Sequence, residues 1–259
     1  MVVGVWRNLR YLPPNLATSA SMLLGLASVY LSMHGQFKMA AWCILWCVLL
    51  DKLDGTLARL LRAQSGFGVE FDSFADFCAF GLAPASLLSQ HLLRLPAYAH
   101  GTGRVLVFVT AAFYVVMAAS RLARYNIQTA ALGDRLFFGL PSTLSGALIG
   151  TGYLVAVRHL AGVPEAGSLA VLVPGILVLN GILMLTSLPL PKLRLGRQRW
   201  WKWFQIVNIV AVFGCGSLMV FPEYLFVLAL SYALIGLYFG RQVVRAMEAE
   251  GRLCGAGQG

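Results

Sequence analysis

Four aspartates carry the clearest chemical signal in this chain. Asp51 and Asp54 stand three apart and Asp72 and Asp76 four apart, so each pair lines one face of its own helix. Two such faces brought together make an all-oxygen donor set suited to a hard divalent cation such as Mg²⁺ or Mn²⁺. The chain has only 10 acidic residues, and five of them fall between Asp51 and Asp76, inside one of its most apolar stretches. Carboxylates near lipid are costly, so a cluster of them there points to a functional site.

The elements that must position these acids follow from composition. Hydrophobic residues make up 59% of the chain, charged residues 12%, and mean hydropathy is +0.75. A soluble domain carries about twice that charged fraction. Long apolar runs separated by short basic connections predict an all-α, polytopic integral membrane protein of about eight spans. The spans are expected near Leu16–Met33, Met39–Leu57, Asp72–Leu92, Val105–Arg121, Phe138–Val157, Leu169–Leu188, Phe204–Val220 and Tyr224–Phe239. No alternating strand pattern argues for a β-barrel.

Placing both termini in the cytoplasm puts sixteen of the 20 Lys and Arg residues inside, leaving Lys38, Arg94, Arg104 and Arg158 outside. The positive-inside rule therefore sets the orientation. Because these cations are spread along membrane boundaries, the net charge of +10 argues for anionic lipid headgroups and against nucleic acid. Met1–Leu12, with Trp6, Arg7, Arg10 and Tyr11, suits an interfacial segment; residues 13–240 form one membrane domain and 241–259 a cytoplasmic tail. Cys43 and Cys47 are read as small apolar packers. Gly146-xxx-Gly150 and Gly236-xxx-Gly240 are weak signals of close helix contact.

The apolar run Met39–Leu50 is too short to cross a hydrocarbon core of roughly 30 Å. Its helix must continue through Asp51 and Asp54, which places them at membrane depth in a cavity open to the cytoplasm. Gly55 and Ala58 would leave a smooth wall for a ligand, and Gly66 and Gly68 would shape the turn between the two acidic helices. A buried charge network with Arg59 and Arg62 is the plainer alternative. It accounts for one or two of the acids, not for four acids and three small residues in one hairpin. An intramembrane cation relay is a second alternative. Transporters, however, usually repeat such features in matching halves, and here the acids sit on one hairpin.

Asp51-x-x-Asp54-Gly55-x-x-Ala58-Arg59, eight residues, then Gly68-x3-Asp72-x3-Asp76 resembles the CDP-alcohol phosphatidyltransferase signature at every specified position. Pro14-Asn15-Leu16-Ala17-Thr18 is similar to the family's first-helix opening. The run from Glu70 to Ala85, Arg121-Leu-Ala-Arg124-Tyr-Asn126 and Phe138-Gly-Leu-Pro141-Ser142 resemble its phosphatidylserine synthase branch.

The resemblance implies a homodimeric enzyme, in a bacterial inner membrane, that moves a phosphatidyl group from CDP-diacylglycerol to L-serine and releases CMP. Glycerol phosphate, inositol phosphate or an archaeal lipid donor are the variants of the same chemistry. It further implies Asp51, Asp54 and Asp72 as ligands of two Mg²⁺ or Mn²⁺ ions, with Asp76 touching the second ion and acting as general base. Arg59 would hold a phosphate, Gly55, Ala58 and Gly68 would make room for the nucleotide, and Asn15 and Thr18 would add hydrogen bonds. His34, His91, His100 and His159 all fall outside in this topology, which leaves a carboxylate as the cytoplasmic base. No H-x-K pair offers a histidine nucleophile, so direct attack by the acceptor is expected. Arg121 and Arg124 suit an acceptor carboxylate, or else simple snorkelling at a helix end. Lys52 is expected to point away from the ions, toward headgroups.

Overall fold

The computed structural model describes residues 9–132, 137–159, 171–186, 189–190 and 199–249. Apart from one two-residue antiparallel pair, every regular element among them is helical. Among the described residues three segments, Leu12–Met33, Gly66–Leu92 and Gly101–Ile127, are long and apolar enough to cross a membrane, and shorter apolar helices accompany them.

The first helix, α1 (Leu12–Met33), starts on Pro13 and Pro14, where a missing N–H removes no helical bond. Its buried face is small: Ala17, Thr18, Ser21, Gly25, Ser28 and Ser32 recur at three- and four-residue steps. Such a stripe lets backbones approach closely. A Cβ on Gly25 would stand 2.9 Å from the Ala79 Cα. A turn with Gly35 at φ +78° reverses the chain into α2 (Phe37–Leu60), antiparallel to α1. Ser28 Oγ donates to the Ala40 carbonyl at 2.9 Å, and Cys47 Sγ donates to the Ser21 carbonyl at 3.2 Å. Cys43 and Cys47 are free and buried, as their setting suggested.

Helix α2 runs unbroken through Asp51 and Asp54, as the length argument required. It ends at Leu61 and Arg62, where the chain turns left-handed at φ +50°. The turn was expected to depend on Gly66 and Gly68. Instead both glycines lie in the first turn of α3 (Gly66–Asp76), capped by Ser65, whose hydroxyl accepts from the Gly68 N–H at 3.0 Å.

Directly after Asp76 the helix widens into a π-helical turn, Phe77–Leu82, before continuing as α4 (Ala83–Leu92). Pro84 has no N–H to donate to the Phe80 carbonyl, and the Tyr114 hydroxyl donates there at 2.8 Å. π-turns of this kind recur at functional sites, because the extra residue re-aims neighbouring side chains.

After the short α5 (Pro96–Ala99), α6 (Gly101–Leu132) continues well past Arg121, where the fourth span was expected to end. Arg121 and Arg124 therefore sit within a helix, and snorkelling at a helix C-terminus does not describe them. The strand pair β1 (Phe137–Phe138) and β2 (Pro189–Leu190) brackets α7 (Ser142–His159) and α8 (Leu172–Leu185). In α7, Gly146 faces the Phe80 ring and Gly150 faces the Ala41 carbonyl, so that weak pattern marks a real crossing. Helices α9 (Arg199–Leu218) and α10 (Pro222–Ala249) complete the bundle, and α10 extends beyond the expected end at Phe239 into the 241–259 segment. The packing of Gly240, most of Met1–Leu12, and the cations Arg135, Lys192, Arg194, Arg197 and Arg252 lie outside what the structure describes.

Candidate active site

Helices α2 and α3 with the π-turn behind them bring three of the four aspartates together. One carboxylate oxygen from each of Asp51, Asp72 and Asp76 lies within 4.8 Å of the other two. Oxygens sharing one octahedral Mg²⁺ are separated by about 2.9 to 4.2 Å, so small side-chain adjustments suffice to close this set on an ion. Two carboxylates 4.8 Å apart repel by roughly 3.5 kcal/mol at an effective dielectric of 20. Lys52 lies 3.4 Å from Asp51 Oδ2, contrary to the expectation that it turns away, but 68% of its side chain is exposed. A cation so exposed to solvent offsets little of that repulsion. Neither Arg59 nor Arg62 pairs with an aspartate, so the charge-network alternative is not formed among the described residues. The donor set therefore fits a divalent cation.

Asp54 stands apart from the trio. It is 4% exposed and accepts a hydrogen bond from Thr18 Oγ1 at 2.9 Å, which ties α2 to α1. The other two contacts to the acids come from the first residues of α7. Thr143 Oγ1 donates to Asp51 Oδ2 and Ser142 Oγ to Asp76 Oδ2, each at a long 3.4 Å. The positive end of the α7 dipole thus faces the carboxylates. Thr143 was absent from the sequence reading and Ser142 entered only as part of a resemblance. The available signal was Pro141-Ser142-Thr143, a helix-start pattern.

Arg121 is 6% exposed. Its Nη1 donates to Ser142 Oγ at 2.7 Å, which sets the guanidinium one hydroxyl away from Asp76. Its Nε is the one buried side-chain polar atom without a hydrogen-bond partner among the described residues. A buried unpaired donor on a cation is costly, and an anionic ligand is the natural complement. Arg124 is placed differently. Its Nη1 donates to the Leu185 carbonyl at 2.8 Å, and its Nη2 reaches those of Met184 and Thr186 at 3.3 Å. It caps the end of α8.

The remaining sequence candidates border the hairpin. A Cβ on Gly55 would meet nothing within 4 Å, so that wall of α2 is open. Gly68 lies beside Ser65 Oγ and Asn15 Oδ1, which brings α1 and α3 together at one edge. Ala58 is half-buried one turn beyond Asp54, and Arg59 is exposed with a 3.4 Å contact to Thr56 Oγ1.

Residues 11–189 match the family described as CDP-alcohol phosphatidyltransferase. The chain belongs to that family. Among its relatives, a "CDP-diacylglycerol--serine O-phosphatidyltransferase" of Helicobacter pylori is 37% identical over 186 residues, which cover 71% of this chain and 73% of that one. A protein of the same name from Methanocaldococcus jannaschii is 28% identical over 85% of this chain and 90% of its own. An "Archaetidylserine synthase" of Methanothermobacter thermautotrophicus is 31% identical over 54% of this chain and 57% of its own. The carboxylate trio, Asp54 and Arg121 all fall inside the matched family region.

Proposed function

We propose that this phosphatidyltransferase moves a phosphatidyl group from CDP-diacylglycerol to L-serine, giving phosphatidylserine and CMP. The observation that carries the reading is the meeting of Asp51, Asp72 and Asp76 within 4.8 Å, with a buried guanidinium one hydroxyl away. The serine-named relatives, bacterial and archaeal, support the acceptor. They differ in their lipid names, so the donor lipid is the part that experiment must separate.

In this reading Asp51, Asp54, Asp72 and Asp76 would hold two Mg²⁺ or Mn²⁺ ions, which would neutralise charge on the donor pyrophosphate. Arg121 seats the serine carboxylate, and Asp76 accepts the hydroxyl proton as that oxygen attacks the lipid-linked phosphorus. The new P–O bond forms as the bond to CMP breaks on the far side, and CMP leaves with the electron pair. Thr18 orients Asp54. Asn15, Gly55, Ala58 and Gly68 border the nucleotide, and Arg59 holds a phosphate. A single in-line displacement inverts configuration at phosphorus.

The deciding experiment incubates purified protein with CDP-diacylglycerol, a panel of alcohols and a divalent metal, followed by lipid analysis. Phosphatidylserine and stoichiometric CMP are expected. Transfer to glycerol phosphate with none to serine would move the protein to another branch, and retention of configuration would replace direct attack by a covalent route.

The same reading includes about eight spans, a site open to the cytoplasm, both termini inside and a homodimer in the bacterial inner membrane. Cysteines placed in Leu95–Gly103 should be labelled from outside intact cells and those in Ala63–Gly66 should not. External labelling of Ala63–Gly66 would reverse the orientation.

A further inference from the structure

Ser142 has no role in the reading above, yet among the described residues it is the one that hydrogen-bonds both Arg121 and Asp76. It is 1% exposed, at the start of α7 just after Pro141. Its oxygen accepts from Arg121 Nη1 at 2.7 Å, which leaves its own proton free to point at Asp76 Oδ2 at 3.4 Å. A hydroxyl can accept and donate at once, so the two contacts are compatible and share one direction.

The same bond anchors Arg121. Ser142 is the only hydrogen-bond partner that Arg121 has among the described residues, and the Tyr125 ring 5.8 Å away supplies the other contact to the guanidinium. A buried guanidinium with Nε unpaired and Nη1 on a single hydroxyl has little else to hold its orientation. Arg124, one turn on, donates instead to the carbonyls at the end of α8.

We propose that Ser142 is a positioning residue that couples the two halves of acceptor recognition. By bridging Arg121 and Asp76 through one oxygen, it makes seating of an acceptor carboxylate and alignment of the neighbouring hydroxyl a single event. The bridge also works as a ruler. Guanidinium and carboxylate are one hydroxyl apart, so the site suits an acceptor whose anionic group and nucleophilic hydroxyl lie a few bonds apart, as in a β-hydroxy acid. The inference rests on the roles assigned above to Arg121 and Asp76.

The test is steady-state kinetics on the full chain in lipid vesicles, with CDP-diacylglycerol and serine varied separately. The variants are Ser142→Ala, Ser142→Cys, Arg121→Ala and the Ser142→Ala/Arg121→Ala double. Removing the hydroxyl should raise the serine KM on the order of tenfold and lower kcat, the effect of a lost hydrogen bond to a charged group. The KM for CDP-diacylglycerol should stay within about twofold, since the donor does not use the bridge. Cysteine is close in size but a poor hydrogen-bond partner, and it should behave like alanine without a packing defect. Because the residues act in series, Ser142→Ala should cost less than about threefold further in serine kcat/KM once Arg121 is gone.

An unchanged serine KM in both Ser142 variants, an equal rise in both substrates' KM, or fully additive losses in the double variant would each overturn the coupling. If Arg121→Ala raises the serine KM while the Ser142 variants do not, the coupling alone fails. If Arg121→Ala itself leaves the serine KM unchanged, the seat assigned to the acceptor fails first.

Discussion

The two ends of the helix bundle handle charge in opposite ways. At the end where α7 stops and α10 begins, the one carboxylate among the described residues, Glu223, is held by two partners, Arg158 at 3.2 Å and His159 at 2.9 Å. Nearby, Tyr153 and His91 share a 3.1 Å hydrogen bond, His91 meets Phe37 edge-on at 5.0 Å, and Arg94 lies over the same ring. A cavity of about 510 Å³ opens there, lined by Phe37, Lys38, His91 and Tyr153 among others and by no acid. At the opposite end three carboxylates crowd together with one exposed lysine, and a buried guanidinium keeps a donor unpaired. At the Glu223 end the described carboxylate is matched with partners. The carboxylate end is short of positive charge and leaves the Arg121 Nε without an acceptor, the condition of a site built to be completed by a cation and an anionic substrate.

The strongest way to break this contrast is to withhold the cation. Chelation by EDTA should reduce transfer to background and Mg²⁺ or Mn²⁺ should restore it, with Asp51→Asn and Asp72→Asn inactive in either case. Full activity in EDTA would end the metal assignment. Melting curves sharpen it, since a divalent ion should raise the Tm of the wild type and not of Asp51→Asn.

Next in size is Asp76→Asn, which keeps a folded protein and nucleotide binding but removes the proton acceptor. Turnover should fall by about 10²- to 10⁴-fold, the range for loss of a general base. Retention of a tenth or more of wild-type turnover would shift the base elsewhere.

The two arginines of α6 divide the contrast within a single helix. Arg121→Ala should raise the serine KM by tenfold or more, on the order expected for a charge-assisted hydrogen bond. Arg124→Ala should instead lower stability by about 1–2 kcal/mol through loss of the α8 cap, with the serine KM little changed. Reversal of those two outcomes, read by kinetics and thermal melting together, would show that the capping contacts do not describe Arg124 at work.

The smallest effect belongs to the opposite end. Glu223→Gln gives up a solvent-screened pair that contributes little, and it should leave kcat/KM within about twofold. A large kinetic defect there would mean that the two ends are coupled.

Much of the site was legible because its information is local. Three- and four-residue spacings place carboxylates on helix faces, whatever the helices later touch. The continuation of α2 through Asp51 and Asp54 followed from an apolar run too short to cross lipid without them. Local reading misled where a chain neighbour competes with a spatial one. Gly66 and Gly68 looked like turn residues, yet Arg62 makes the left-handed turn and the glycines begin α3. Arg121 and Arg124 looked equivalent at three-residue spacing, but one faces Asp76 through Ser142 and the other faces the carbonyls of α8. The small stripe of α1 passed unnoticed because its meaning lies in the Ala79 backbone it packs against.

By itself, then, the amino-acid order determined the helical class, the membrane setting and which four acids could do chemistry, since hydropathy and helical periodicity act over a few turns. Only the tertiary structure decided which acids meet and what stands beside them. Thr18 reaches Asp54 across 36 positions and Thr143 reaches Asp51 across 92. Such contacts depend on how α1, α6 and α7 pack around the π-turn after Asp76. Side-chain shape over the whole bundle sets that packing, and no local pattern records it.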